Sequence, residues 1–228
     1  MLIAFDLEGT LLDGELFPEV GERLGLGGEL EAVTRDAMNG DLPFEEALRR
    51  RTEIIRGVSM GSVRSVASSL PLNPGAEETV QTLRRMGVTP AIITGGFDLL
   101  AKPIAERLQV DYVYANHFTE EKGLVTGLDN PVVTPRAKAE HLKCLAAELG
   151  IPLNRSIAVG DGANDIPMLC AAGFGIAFDA PPRVREAARA SVDGGDIRGI
   201  LPIVARHLDD ASTSATAYDL QLLARMGR

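Results

Sequence analysis

Apolar residues along this chain recur with two different periods, and the change from one to the other divides it. Residues 2–5 (LIAF) are uninterrupted apolar positions, the pattern of a short strand buried on both faces, and Asp6 stands where that strand ends. From there to about residue 73 the apolar positions fall at helical spacing, which predicts helices over 17–24, 29–38, 44–55 and 60–70. Gly25, Gly27 and Gly28, then Asn39-Gly40, then Gly57 punctuate them, and Pro43 sits at a plausible start for the third. Beyond Asn73-Pro74 helix and strand alternate. Helices are predicted over 76–86, 97–108, 135–149, 166–172 and 196–207, and strands over 89–93, 110–114, 156–159 and 174–177. A small hairpin is predicted within 116–126, turning at Lys122-Gly123.

Repeated strand–helix units imply a parallel sheet covered by helices. The helical block has no strand to pair with the first one, so it reads as an insertion. The predicted architecture is α/β: a Rossmann-like parallel-sheet core from residues 1–13 and 74–208, with a small helical cap inserted at 14–73. Residues 209–228 form a tail that begins with a polar, small-residue joint (DDASTSA). Leu220, Leu222, Leu223 and Met226 are expected to line one face of a short final helix there.

Composition narrows the class. A hydrophobic fraction of 45% with 24% charged residues is ordinary for a globular protein, and 4% aromatics with no Trp make the core mostly aliphatic. A net charge of −9 argues against a nucleic-acid surface, which needs a basic stripe. Cys144 and Cys170 lie in apolar, helix-like surroundings and read as buried free thiols. No secretory pattern precedes Asp6, and no apolar run approaches the roughly 18 residues of a membrane span. The expectation is a soluble, cytoplasmic protein, monomer or homodimer, whose partner is a small molecule rather than nucleic acid or membrane.

Four stretches carry candidate chemistry. Asp6 ends the first strand, with Gly9 allowing the chain to turn behind it. Thr94-Gly95-Gly96 follows the strand TPAII, a hydroxyl and freed backbone N–H groups of the kind that hold phosphate oxygens. Lys138 lies early in the helix after Pro135. In AVGDGANDIPML (158–169), Asp161 lies between two glycines, and Asn164 and Asp165 open the next helix; two acids and an amide so close suit a hard cation bound through oxygen. Singly, each has a structural explanation: a turn-capping Asp, a strand–Thr–Gly turn, a surface lysine, an Asp-Gly turn before a helix cap. Together they place acids, a hydroxyl and a cation at neighbouring strand ends. His117, His141 and His207 are scattered without ligand spacing and read as surface or helix-end residues.

The ordered set D-x-E-G-T, T-G-G, Lys and G-D-G-x-N-D resembles the haloacid dehalogenase-like phosphotransferases, and is closer still to phosphoserine phosphatases. The resemblance extends to about His207 and includes Glu15, MNGDLPFEEALRRR, TGGFD and GDGANDI. It implies that Asp6 is a nucleophile forming an aspartyl phosphate. It implies Mg2+ held by Asp6, the Glu8 main-chain carbonyl and Asp161, with Asp165 supporting the shell. Lys138 would add positive charge at the phosphate, and Thr94, Gly95 and Gly96 would hold its oxygens, with Asn164 supporting the lysine or phosphate contacts. Glu8 would serve as general acid and then base; the usual residue at this position is Asp, and some relatives that transfer the phosphoryl group to homoserine also carry D-x-E-G.

Within the cap, Glu15 resembles the residue that receives a substrate ammonium, and Arg51 the one that pairs with its carboxylate. Met38 and Phe44 would shape the apolar side of that pocket, while Arg49 and Arg50 read as a solvated helix face. The implied activity is Mg-dependent hydrolysis of L-phosphoserine. The alternatives are transfer from phosphoserine to a small alcohol such as homoserine, hydrolysis of another small phosphometabolite, and a non-catalytic phosphoamino-acid sensor.

Overall fold

The computed structural model describes residues 1–38 and 41–208, without the side chain of Met38. In chain order, β1 (Leu2–Phe5) is followed by four helices, α1 (Leu16–Leu24), α2 (Gly27–Met38), α3 (Phe44–Ile54) and α4 (Met60–Ala67). Then come α5 (Ala76–Arg85), β2 (Thr89–Phe97), α6 (Asp98–Leu108), β3 (Tyr112–Asn116) and a hairpin of β4 (Phe118–Glu121) and β5 (Leu124–Leu128). The chain continues through α7 (Pro135–Glu148), β6 (Ser156–Gly160), α8 (Ile166–Ala171), β7 (Phe174–Phe178), α9 (Pro182–Ala187) and β8 (Ala190–Val192), and residues 197–208 are helical.

Six strands make one parallel sheet in the order β3-β2-β1-β6-β7-β8. Every residue of β1 is fully buried, as an unbroken apolar run in a sheet covered on both faces requires. Its register sets Phe5 beside Ile92 of β2 on one side and Val159 of β6 on the other. The chain moves from β1 outward in both directions, so the crevice beyond the carboxyl ends of β1, β2 and β6 is the place where such sheets bind ligands. Asp6, Thr94 and Gly160 all lie there.

Apolar residues of the four intervening helices, among them Phe17, Leu48 and Val63, share one continuous core with Ile3, Phe5 and Phe97 of the sheet. The chain after α3 is also tied to the hairpin by backbone hydrogen bonds. Gly57 N donates to Val125 O (2.8 Å), Val125 N to Val58 O (2.9 Å) and Met60 N to Gly123 O (2.8 Å).

Several elements differ from the sequence expectations, each for a local reason. β2 runs on through Thr94-Gly95-Gly96 because Phe97 pairs with Asn116 after an irregular stretch, which draws the turn along the sheet. The neighbouring strand accordingly lies at 112–116 rather than 110–114. α4 stops at Ala67: the Ser68 and Ser69 hydroxyls donate to Arg64 O (2.8 Å) and Val66 O (2.6 Å), where serines compete with helix propagation. Residues 182–192 add a short helix and a sheet-edge strand that were not expected. Cys144 and Cys170 are free but exposed, not buried. The buried face of α7 is Lys138, Ala139, Leu142, Leu145 and Ala146, and Cys144 falls off that stripe. Cys170 lies on the outer side of α8, beside buried Met168 and Leu169. The expected short helix at Leu220–Met226 lies outside the described residues. No helix among the described residues is long and apolar enough to cross a membrane.

Candidate active site

Asp6 continues β1 by one residue, its N–H donating to Val159 O (2.9 Å), and its side chain is buried in the crevice. The chain then doubles back: the N–H groups of Leu11 and Leu12 both donate to Leu7 O (2.9 and 2.8 Å). Gly9 permits this with φ +79°, and a β-carbon there would collide with the Asp161 carboxylate. That bare backbone lets the loop after β1 lie against the loop after β6. Thr10 Oγ1 completes the contact by donating to Asp161 Oδ1 (2.8 Å).

Lys138 stands in the first turn of α7, which starts where the Thr134 hydroxyl accepts from Ala137 N (3.2 Å) and Pro135 opens the helix. Its side chain is fully buried, with Nζ 2.5 Å from Asp165 Oδ1 and 2.8 Å from Asp6 Oδ1. Burial works against the ammonium, but the Asp165 and Asp6 charges outweigh it and hold the lysine above its ordinary range. The contact to Asp6 has the distance of an ion pair without the alignment of a hydrogen bond, so Asp6 Oδ1 is a buried acceptor without a hydrogen-bond donor.

Asp165 Oδ2 accepts from Gly162 N (3.0 Å), which folds the 160–165 loop onto itself. Asp6, Asp161 and Asp165 each direct one carboxylate oxygen into a space where all three lie within 4.8 Å of one another. Burial, and then the neighbouring Asp6 charge, pushes both Asp161 and Asp165 upward. Three crowded carboxylates against one buried ammonium leave an excess of negative charge. A metal ion with oxygen ligands fits that donor set and would offset the excess charge.

Glu8 points from the same loop toward the first of the four helices. Its Oε1 accepts from Leu16 N (2.6 Å), the first residue of α1, and its Oε2 lies where a β-carbon on Gly96 would be. The longer side chain is thus accommodated by folding against a glycine. Burial pushes the Glu8 carboxyl up to about 7, with the Leu16 N–H opposing the shift.

The turn after Ile93 is buried throughout, and the Gly96 N–H is directed to Thr94 Oγ1 (2.9 Å). Phe44, at the start of α3, covers Gly95. Asn164 is half-buried on the 163–165 turn, with its amide oxygen against Gly162. Glu15 is exposed at the N-terminus of α1. Arg51 is half-buried on α3, its Nε donating to Ala47 O (3.4 Å) and its guanidinium lying 5.0 Å from the centre of the Phe17 ring. Burial lowers its pKa, and Glu15 and Glu8 oppose that shift by their charge. The side chain of Met38 lies outside the described residues.

Over residues 1–173 the sequence matches the model of the haloacid dehalogenase-like hydrolases. The chain belongs to this family. It is 42% identical over 192 residues to phosphoserine phosphatase SerB2 of Mycobacterium tuberculosis, covering 84% of this chain but 47% of that one. It is 37% identical over 204 residues to phosphoserine phosphatase of Methanocaldococcus jannaschii, covering 89% and 97%. The chain therefore spans about half of the first relative and nearly all of the second. Among solved structures, a phospho-aspartyl intermediate analogue of phosphoserine phosphatase superposes with a TM-score of 0.84 at 37% identity, over 89% of this chain and 98% of that one. A substrate-bound phosphoserine phosphatase complex gives 0.84 at 36%, over 89% and 97%.

Three polar residues that sequence reasoning did not single out shape this crevice. Thr10 was within the first motif but carried no assignment. Asn73 donates to the carbonyls of Thr10 (2.8 Å) and Leu12 (3.3 Å), clasping the loop that follows Asp6. Asn116 is buried, donating to Gly95 O (2.7 Å) and accepting from Val133 N (2.8 Å), so it joins the Thr94 turn to the segment that leads into Lys138. A lone amide at the end of an otherwise apolar strand was the available signal for Asn116.

Proposed function

We propose that this chain hydrolyses L-phosphoserine to L-serine and phosphate through an aspartyl phosphate on Asp6, with magnesium as its metal. The observation that carries the reading is the buried Lys138 set between Asp6 and Asp165, with Asp161 closing the carboxylate group. The family and the named activities of the relatives agree with it. Asp6, the Glu8 main-chain carbonyl and Asp161, with Asp165 in support, would hold the ion, which would supply the positive charge for a carboxylate to approach a phosphate.

The Asp6 carboxylate attacks phosphorus while the bond to the serine oxygen breaks, and the Glu8 carboxyl gives its proton to that oxygen. Glu8, now ionised, takes a proton from water. The water oxygen attacks phosphorus, the bond to Asp6 breaks, and inorganic phosphate leaves. A group poised at about 7 can act in both directions near neutral pH. Lys138 adds charge at the phosphoryl group, while Thr94 and the backbone N–H groups beside it hold phosphate oxygens. Glu15 receives the substrate ammonium and Arg51 its carboxylate, with Phe44 on the apolar side.

The test is phosphate release from L-phosphoserine compared with a panel of sugar phosphates and other phosphoamino acids, with EDTA and with magnesium restored. The reading expects preference for L-phosphoserine, dependence on the metal, and loss of turnover in Asp6→Asn. Because Glu8 replaces the usual Asp, homoserine is included as an acceptor. Formation of its phosphate in place of free phosphate would assign transfer rather than hydrolysis.

A further inference from the structure

Three aromatic side chains separated in sequence form one packed unit beside the crevice. Phe97 at the end of β2 and Phe118 at the start of β4 are stacked, with ring centres 3.6 Å apart and planes 6° from parallel. Phe17 of α1 stands nearly perpendicular beside the stack, at 5.6 Å and 79° to Phe97 and at 6.5 Å and 85° to Phe118. In such T-shaped contacts the positive rim of one ring meets the negative face of another. Phe17 packs beside the stack, and Arg51 lies over its ring, the guanidinium carbon 5.0 Å from the ring centre. Phe17 is only 5% exposed, so this face is largely shielded from water, where a cation–π contact is stronger.

The unit has two ends. Phe97 follows Gly96 directly and so continues the Thr94-Gly95-Gly96 turn. Arg51 stands at the other end, and among the described residues it forms no ion pair, although burial works against its charge. A guanidinium seated on a ring keeps its in-plane N–H groups free for a second partner.

We infer that Phe17 is a positioning residue for Arg51, and that the Phe97–Phe118 stack beneath it fixes where the guanidinium stands relative to the phosphate-binding turn. The site then selects phosphomonoesters that carry a carboxylate at one set reach from the phosphate. This rests on the assignment of Arg51 to the substrate carboxylate made under the proposed function. Phe17 itself need not touch the substrate.

The experiment uses the full-length enzyme with magnesium and three changes: Phe17→Leu, trifluorophenylalanine incorporated at position 17, and Arg51→Ala. The leucine keeps an apolar side chain and removes the ring; fluorination keeps the shape and drains the ring face. Both are expected to raise KM for L-phosphoserine about ten-fold, with a much smaller change in kcat. Inhibition by inorganic phosphate, which has no carboxylate, is expected to keep its constant. Equal loss for phosphoserine and phosphate would show that Phe17 is ordinary packing and overturn the proposal. A fluorinated enzyme indistinguishable from the parent would do the same, while an Arg51→Ala effect on KM left the functional reading standing. If Arg51→Ala leaves the phosphoserine KM unchanged, the carboxylate assignment fails and the positioning role falls with it.

Discussion

The ring of Phe44 occupies the space in which a side chain on Gly95 would begin: a β-carbon there would stand 2.7 Å from Phe44 Cζ. Real β-carbons essentially never stand that close, so a side chain at position 95 would force the Phe44 ring to shift. Overpacking of this kind costs about 1–3 kcal/mol. Gly95→Ala is therefore expected to lower kcat/KM for L-phosphoserine roughly ten- to hundred-fold. Adding Phe44→Leu should recover most of the loss, which a double-mutant cycle of kcat/KM measures. Strictly additive losses would show that the two positions are not coupled.

Thr10 orients Asp161 through a 2.8 Å hydrogen bond without joining the carboxylate group itself. Supporting bonds of this kind are typically worth about 10–100-fold in metal affinity. Thr10→Val keeps the shape and removes the donor. The magnesium concentration for half-maximal activity should rise about ten-fold or more, with activity recovered at high magnesium. An unchanged magnesium titration would remove Thr10 from the metal's support.

Lys138 is the buried counter-charge of Asp6 and Asp165. Removing one partner of a buried ionic group leaves charge uncompensated and costs about 3–5 kcal/mol. Urea unfolding of Lys138→Met in EDTA should show a loss of that order, and magnesium should narrow the gap by replacing part of the lost charge. Equal stability of the two proteins without metal is the outcome that contradicts this.

Asp98, at the start of α6, accepts from Lys102 (2.8 Å) and lies 3.0 Å from His117. Burial pushes its carboxyl upward, but the bonds and charges of Lys102 and His117 outweigh that and hold it below its usual value. A folded-state pKa below the unfolded one, about 3.9 for Asp, means stabilisation present above about pH 4. That stabilisation fades as pH falls through the folded value. The difference in melting temperature between the parent and Asp98→Asn should shrink steadily from pH 6 to pH 2. Because the group is partly exposed, 0.5 M salt should also reduce it. A difference that grew in acid would reverse the sign.

What could be read in the sequence was whatever has a local period or a local cluster. The apolar run before Asp6, the glycines around Asp161 and the switch from helical to alternating pattern each express their structure within a dozen residues. The sheet edge at β8 is three residues long and carries no period to detect. Asn73 and Asn116 act across 63 and 21 residues of sequence, so nothing beside them announces the carbonyls they hold. Arg49 shows the same limit. It belongs to a helix face that looks solvated, and it does pair with Glu45 (2.8 Å), yet it also donates to Asn130 Oδ1 (2.6 Å) on the far side of the chain. The exposure of the two cysteines was within reach, since Cys144 misses the buried stripe of its helix.

The three backbone bonds between the chain after α3 and the β4–β5 hairpin have a mechanical consequence. They tie the chain between α3 and α4 to the hairpin, so the end of the one helix and the start of the other share a single anchor. Gly57 and Val58 follow α3 within four residues, so the helix that carries Phe44 and Arg51 is tethered at its C-terminal end by the same bonds.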